Sequence, residues 1–171
     1  MRTVRLRALG LSVIIQDEHF YSDDGHVGNM GAYLARLHQR YGATPLGPDD
    51  FMLARRTLGV CRWFMRGGID RPTKHVHIAT VRQRSLADDL FIRGHEETHA
   101  LKRFGRSSAL NALVRQFGAD PSILKRHDEE VLASIGGLLA CLRRGVSLEQ
   151  LSASLRDSPS TIRARMLLGC E

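Results

Sequence analysis

The sequence predicts an α+β protein with a small N-terminal sheet, one polar helix carrying a metal-binding pattern, and a C-terminal half that is helical throughout. Three observations predict it. Residues 3–16 and Lys74 to Val81 alternate apolar and polar side chains as strands do; His95-Glu96-Glu97-Thr98-His99 lies inside a stretch of helical period; and helix-start signals recur from Ser107 onward with no strand-like run between them. A chain of 171 residues, 43% hydrophobic, suffices for one core. The expected division is a main domain over 1–145 and a helical hairpin over 146–171 packed on it.

In order along the chain, Val4, Leu6 and Ala8 alternate with Arg5 and Arg7 before the sequence turns continuously apolar, which predicts a strand that becomes buried. Asp23-Asp24-Gly25 is expected to break the chain. Tyr33, Leu34, Leu37 and Tyr41 then fall at helical spacing, and the two prolines between Gly42 and Asp49 end that helix. Asp49-Asp50 is expected to cap a second helix with Phe51, Ala54, Leu58 and Cys61 on one stripe, closed by Gly67-Gly68, and Trp63 and Phe64 are expected in the core. In the strand Lys74 to Val81, Val76 and Ile78 share one face, and His75 and His77 the other. Those two histidines suit a plain exposed face, a wall beside substrate or, less well, a metal.

The next helix, from Ser85 to about Phe104, carries the chemistry. Ser85-x-x-Asp88 is a capping pattern, Gly105 follows where the helix should stop, and Leu90, Phe91, Ala100 and Leu101 give it an apolar side. Histidines four apart lie on one helix face, so both imidazoles of His95 and His99 can reach one zinc ion. Glu96, one residue on from His95, is placed as a general base toward water held there. A catalytic zinc takes three protein ligands and keeps one open position. A third histidine in the pattern H-E-x-x-H-x-x-G-x-x-H is excluded, because Lys102 and Gly105 stand at its glycine and histidine positions. A glutamate from a later helix remains, and downstream of His99 the chain offers Glu129, Glu130, Glu149 and Glu171. Glu129 and Glu130 open an apolar helix from Asp128 to about Leu142. Glu130 is preferred because its face continues through the small residues Ala133, Ser134, Gly137 and Cys141, and Glu129 is nearly as well placed through Leu132, Ala133, Gly136 and Ala140. The glutamate that is not a ligand is expected to serve the helix dipole. His127 is a weaker candidate as ligand or transition-state donor.

Composition narrows the rest. Cys61, Cys141 and Cys170 are odd in number and widely spaced with no C-x-x-C, which indicates neither a disulfide framework nor a thiolate zinc site. The longest apolar run, Val131 to Leu142, is too short to cross a bilayer, so a soluble cytoplasmic protein with no membrane contact is expected. The net charge of +7, mostly arginine and spread along the chain, suits an acidic or nucleic-acid partner without requiring one. From Ser147 to Met166 the pattern is helix, tight turn, helix, with Leu148, Leu151, Leu155, Ile162 and Met166 as its shared core. That is helix-turn-helix spacing, and it leaves Arg163 and Arg165 free to meet nucleic acid.

Taken together, Gly94-His95-Glu96-Glu97-Thr98-His99-Ala100-Leu101, Glu130-x-x-Ala133-Ser134, and Leu151-Ser152-Ala153-x-Leu155-x-x-Ser158 with Arg165-Met166-Leu167-Leu168-Gly169 resemble the ImmA/IrrE family over residues 74–169. The resemblance implies a zincin-like fold and an intracellular zinc metallopeptidase of gluzincin type that acts on a protein partner, a repressor-like DNA-binding protein. It implies zinc ligands at His95, His99 and Glu130, Glu96 as the catalytic base, and the strand Lys74 to Val81 as the one along which an extended substrate lies. Family members usually read H-E-L-G-H. Glu97 and Thr98 therefore put a charge at a normally buried apolar position and remove a close-packing glycine, and Leu138-Leu139-Ala140-Cys141 replaces the usual Leu-Leu-x-Pro. The rival function is a DNA-binding regulator working through the C-terminal hairpin, with structural zinc or none.

Overall fold

The computed structural model describes every residue except Asp70, Arg126 and Glu171, and it is α+β. The first apolar-alternating stretch is two strands rather than one: β1 (Arg2–Leu6) and β2 (Leu11–Ile15) fold back on each other, Val4 opposite Val13. Gly10, at φ +64°, closes the turn. β3 (His19–His26) follows, then α1 (Met30–Arg40), α2 (Pro48–Arg56), β4 (Gly59–Arg66), β5 (Thr73–Thr80) and α3 (Leu86–Arg103). The helical half comprises α4 (Leu110–Gln116), α5 (Glu129–Arg143), α6 (Ala153–Arg156) and α7 (Pro159–Leu168). No described helix is long and apolar enough to cross a membrane.

β3, β5 and β4 form a sheet in that order, β3 parallel and β4 antiparallel to the central β5. Val76 and Ile78 of β5 pack against Phe91, Ile92 and Leu101 of α3 and Ile135 and Leu138 of α5. On the opposite face Ala79 and Phe64 meet Met30, Tyr33 and Leu37 of α1 and Ala54 of α2. Each valine, leucine, isoleucine, methionine or phenylalanine among them contributes about 1.5–3 kcal/mol on full removal from water.

The helix expected through Cys61 stops at Arg56. Thr57 is extended, and Val60, Cys61, Trp63 and Phe64, all at home in a pleated strand, pair with β5 instead. Phe64 is buried as expected, whereas Trp63 is 41% exposed, with the Lys74 ammonium 5.4 Å above its ring.

Asp23-Asp24-Gly25 does not break the chain either. The strand runs through it with a register shift, because both carboxylates find partners: Asp23 pairs with Arg93 of α3, and Asp24 accepts from Ser22, Tyr33 and His77 at 2.5, 2.5 and 2.8 Å. Burial pushes the Asp24 carboxyl up, but the hydrogen bonds from His77, Ser22 and Tyr33 outweigh it and hold the pKa at about 2. An unfolded aspartate titrates near 3.9, so the stabilisation is complete above that value and is lost as pH falls toward the folded one, amounting to about 2 kcal/mol. Urea midpoints measured from mildly acidic pH downward should therefore fall more steeply in the wild-type chain than in Asp24→Asn.

α3 and α5 cross at backbone contact. A Cβ on Gly94 would lie 2.7 Å from the Gly136 carbonyl oxygen, one on Gly137 would lie 2.7 Å from that of Phe91, and one on Gly136 would lie 1.8 Å from Thr98 Oγ1. The close-packing glycine missing at Thr98 thus has its counterpart on the facing helix.

The first helix of the expected C-terminal hairpin is interrupted. A 3₁₀ turn at Leu148–Gln150 and the one-turn α6 are separated by Leu151 and Ser152, both extended. Asp88 of α3 accepts from the Ser152 amide at 2.8 Å, which holds the chain there. α7 buries Thr161, Ala164 and Leu168, leaving Ile162 and Met166 47% and 63% exposed rather than in a shared core. Cys141 is buried, Cys61 and Cys170 are half-buried, and all three are free.

Candidate metal centre

α3 presents the site because both of its ends are fixed. The Ser85 hydroxyl accepts from the Ala87 and Asp88 amides, and Lys102 and Arg103 occupy the last turn, where the helix dipole favours cations. α5 starts opposite, with Asp128 accepting from the Val131 amide at 2.9 Å, so that Glu129 and Glu130 fall in its first turn. The glycine contact described above brings that turn up to His95 and His99.

The His95 and His99 Nε2 atoms lie 3.1 Å apart, and the Glu130 carboxylate oxygens are 3.3 Å from the first and 3.5 Å from the second. Donors about 2.0–2.1 Å from a tetrahedral zinc stand about 3.3 Å apart. The residues therefore fit the ion in both spacing and donor type, and His95, His99 and Glu130 are the one such group among the described residues. Glu130 is well exposed, and the hydrogen bond from His95 holds its carboxyl below the ordinary glutamate value.

Glu129 does more than serve the helix dipole. It accepts from His99 Nδ1 at 2.9 Å, which leaves the Nε2 lone pair directed at the same point as that of His95. Lys102 at 2.5 Å and Arg103 at 3.5 Å hold Glu129 in turn. Burial raises its pKa, yet the hydrogen bonds from Lys102 and His99 and the charge of Arg103 prevail and hold it at about 2. The counterpart atom on His95, the buried Nδ1, has no partner among the described residues.

Glu96 is 8% exposed, and burial raises its carboxyl to about 7, a range suited to exchanging protons near neutral pH. The residue that admits it to the cleft is Gly59 of β4: a Cβ there would lie 2.6 Å from Ile92 Cγ2 and 2.8 Å from Glu96 Oε1. Only the strand-to-helix contact shows this, and nothing in the local sequence marks Gly59. The cleft, about 570 Å³, runs between Leu58 to Cys61 on one side and Leu155, Ser158 and Ser160 on the other, over His95, Glu96, His99 and Glu130.

Several expected site residues are elsewhere. His75 and His77 face α1, on the opposite side of the sheet from α3, where the Tyr41 hydroxyl touches His77 Nε2 at 2.7 Å and His75 Nδ1 at 3.3 Å; His77 is neither exposed nor beside the cleft. β5 is the central strand, so its backbone is already paired on both sides. The sheet edge lining the cleft is β4, not the strand Lys74 to Val81. His127 and Glu149 do not line the cleft, and Glu171 falls outside the described residues. Arg163 is exposed on α7, and Arg165 Nε donates to the Cys170 carbonyl at 3.2 Å. No protein-family model, no curated protein and no solved structure matches the chain.

Proposed function

We propose that this chain is a zincin-like zinc endopeptidase acting on an intracellular protein partner, in the manner of the ImmA/IrrE enzymes whose motifs it resembles, and possessing His95, His99 and Glu130 as ligands. The observation that carries this reading is the convergence of those three side chains at tetrahedral spacing beside a buried glutamate in an open cleft. A zinc ion bound there supplies a Lewis acid that polarises a peptide carbonyl and acidifies water. The chain's own residues do the rest. An extended substrate segment adds to the free edge of β4 at Gly59 to Cys61, Glu96 takes the proton from water and passes it to the leaving amine, and Glu129 keeps the His99 ring in the required tautomer.

The C-terminal hairpin fits this reading better than it fits a DNA reader. Leu155, Ser158 and Ser160 line the cleft, and Ser134 Oγ of α5 donates to Ser160 Oγ at 3.0 Å, so the hairpin serves as a cleft wall. A repressor-like substrate would then meet the hairpin as protein rather than as a competitor for DNA.

The test is metal content after purification without chelator, alongside cleavage of a peptide library read by mass spectrometry. About one zinc per chain is expected. Glu130→Ala should lose the ion on dialysis, whereas Glu129→Gln should retain it with affinity weakened by about 10–100-fold in competition with a chromophoric chelator. A chain that takes up no zinc, or a Glu130→Ala variant that binds it undiminished, would overturn the assignment.

A further inference from the structure

We infer that the arginine-lined groove between the β1–β2 hairpin and the C-terminal end of α5 binds the phosphodiester backbone of a nucleic acid. The groove is about 730 Å³ and is lined by Arg2, Arg5, Arg7, Arg143 and Arg144. Its one carboxylate, Asp23, is engaged by Arg93, and Arg5, Arg7, Arg143 and Arg144 form no ion pair among the described residues. Gathering unpaired guanidinium groups at one concave surface costs self-repulsion, which a polyanion relieves.

The walls are fixed rather than loose. Arg143 lies across Gly10, where a Cβ would stand 2.0 Å from the guanidinium carbon, and the turn bearing Gly10 is held from beneath by Glu97, which accepts from the Ala8 and Leu9 amides at 3.0 and 2.9 Å. Arg5 on β1 and Arg7 in the turn that follows it line the groove from the hairpin side, opposite Arg143 and Arg144 at the end of α5. The planar guanidinium fork meets phosphate oxygens in pairs. The carbonyl end of α5 disfavours an anion, a single partial charge that several guanidinium groups outweigh. Because α5 runs from Glu129 at the cleft to Arg143 at the groove, the two sites stand about 20 Å apart, and nucleic acid bound here leaves the cleft open.

Fluorescence anisotropy with a labelled oligonucleotide, as single strand and as duplex, tests this on the full chain between about 50 and about 200 mM salt. Wild-type protein should bind at the lower salt, and the triple variant Arg5→Gln, Arg7→Gln, Arg144→Gln should bind about tenfold more weakly or worse, with a duplex salt slope smaller by about 2 to 3. Arg163→Gln, on α7, should bind as the wild type does. Should the triple variant fail to fold by circular dichroism, Arg5→Gln and Arg144→Gln singly should each lower the slope by about 0.9. No binding by the wild type, unchanged binding by the arginine variants, loss on Arg163→Gln, or equal displacement by polyglutamate would each overturn the proposal.

Discussion

Glu96→Gln should hold zinc as tightly as the wild-type chain and cleave peptide about 10²–10⁴-fold more slowly. The amide keeps the size of the carboxylate and fits the same space beneath Gly59, whose missing Cβ leaves room for Oε1 and no more. What it cannot do is accept a proton. None of the three donor atoms belongs to Glu96, so metal content measured on the same preparation should not change. His99→Ala, by contrast, removes one of the three proposed ligands and strands Glu129, Lys102 and Arg103 around an empty position, so ion and cleavage should disappear together. A Glu96→Gln protein that cleaves at the wild-type rate would remove the base role while leaving the metal site intact, and one that loses zinc would show the carboxylate acting as a ligand.

The candidate cluster was more legible in the sequence than the sheet that faces it, for a physical reason. H-E-x-x-H is a local pattern: the 3.6-residue period alone puts His95 and His99 on one face, and Ser85 and Gly105 mark the ends of the helix. Glu130 could be narrowed to a pair because few glutamates follow His99, but separating it from Glu129 required the crossing of α3 on α5, which depends on Gly94, Gly136 and Gly137 together. β4 was hidden because Phe51, Ala54, Leu58 and Cys61 happen to fall at helical spacing, and only pairing with β5 decides against the helix. β3 was hidden because Asp23-Asp24-Gly25 carries the composition of a turn, and the Arg93, Tyr33 and His77 side chains that make a strand there tolerable are remote in sequence. A buried glutamate at position 97 could not be explained from the sequence at all, since its partners are backbone amides.

Glu97→Ala should destabilise the fold by about 3–5 kcal/mol. Glu97 is fully buried, and its carboxylate oxygens take the Ala8 and Leu9 amides, tying α3 to the β1–β2 turn. Burial raises its pKa above the ordinary glutamate value against the pull of those two hydrogen bonds and of Arg93. Removing the side chain leaves two amides in the interior without acceptors, each costing about 1–3 kcal/mol, beside a cavity. For a chain of this size the loss corresponds to a fall in Tm of about 10 °C, measurable by calorimetry. Glu97→Gln keeps one acceptor and sets an NH₂ against the other amide, so it should recover about half. Glu97→Leu separates the two causes, because it fills the space without accepting a hydrogen bond: if unpaired amides dominate it should be nearly as damaging as alanine, and wild-type stability in that variant would mean that Glu97 acts by volume alone.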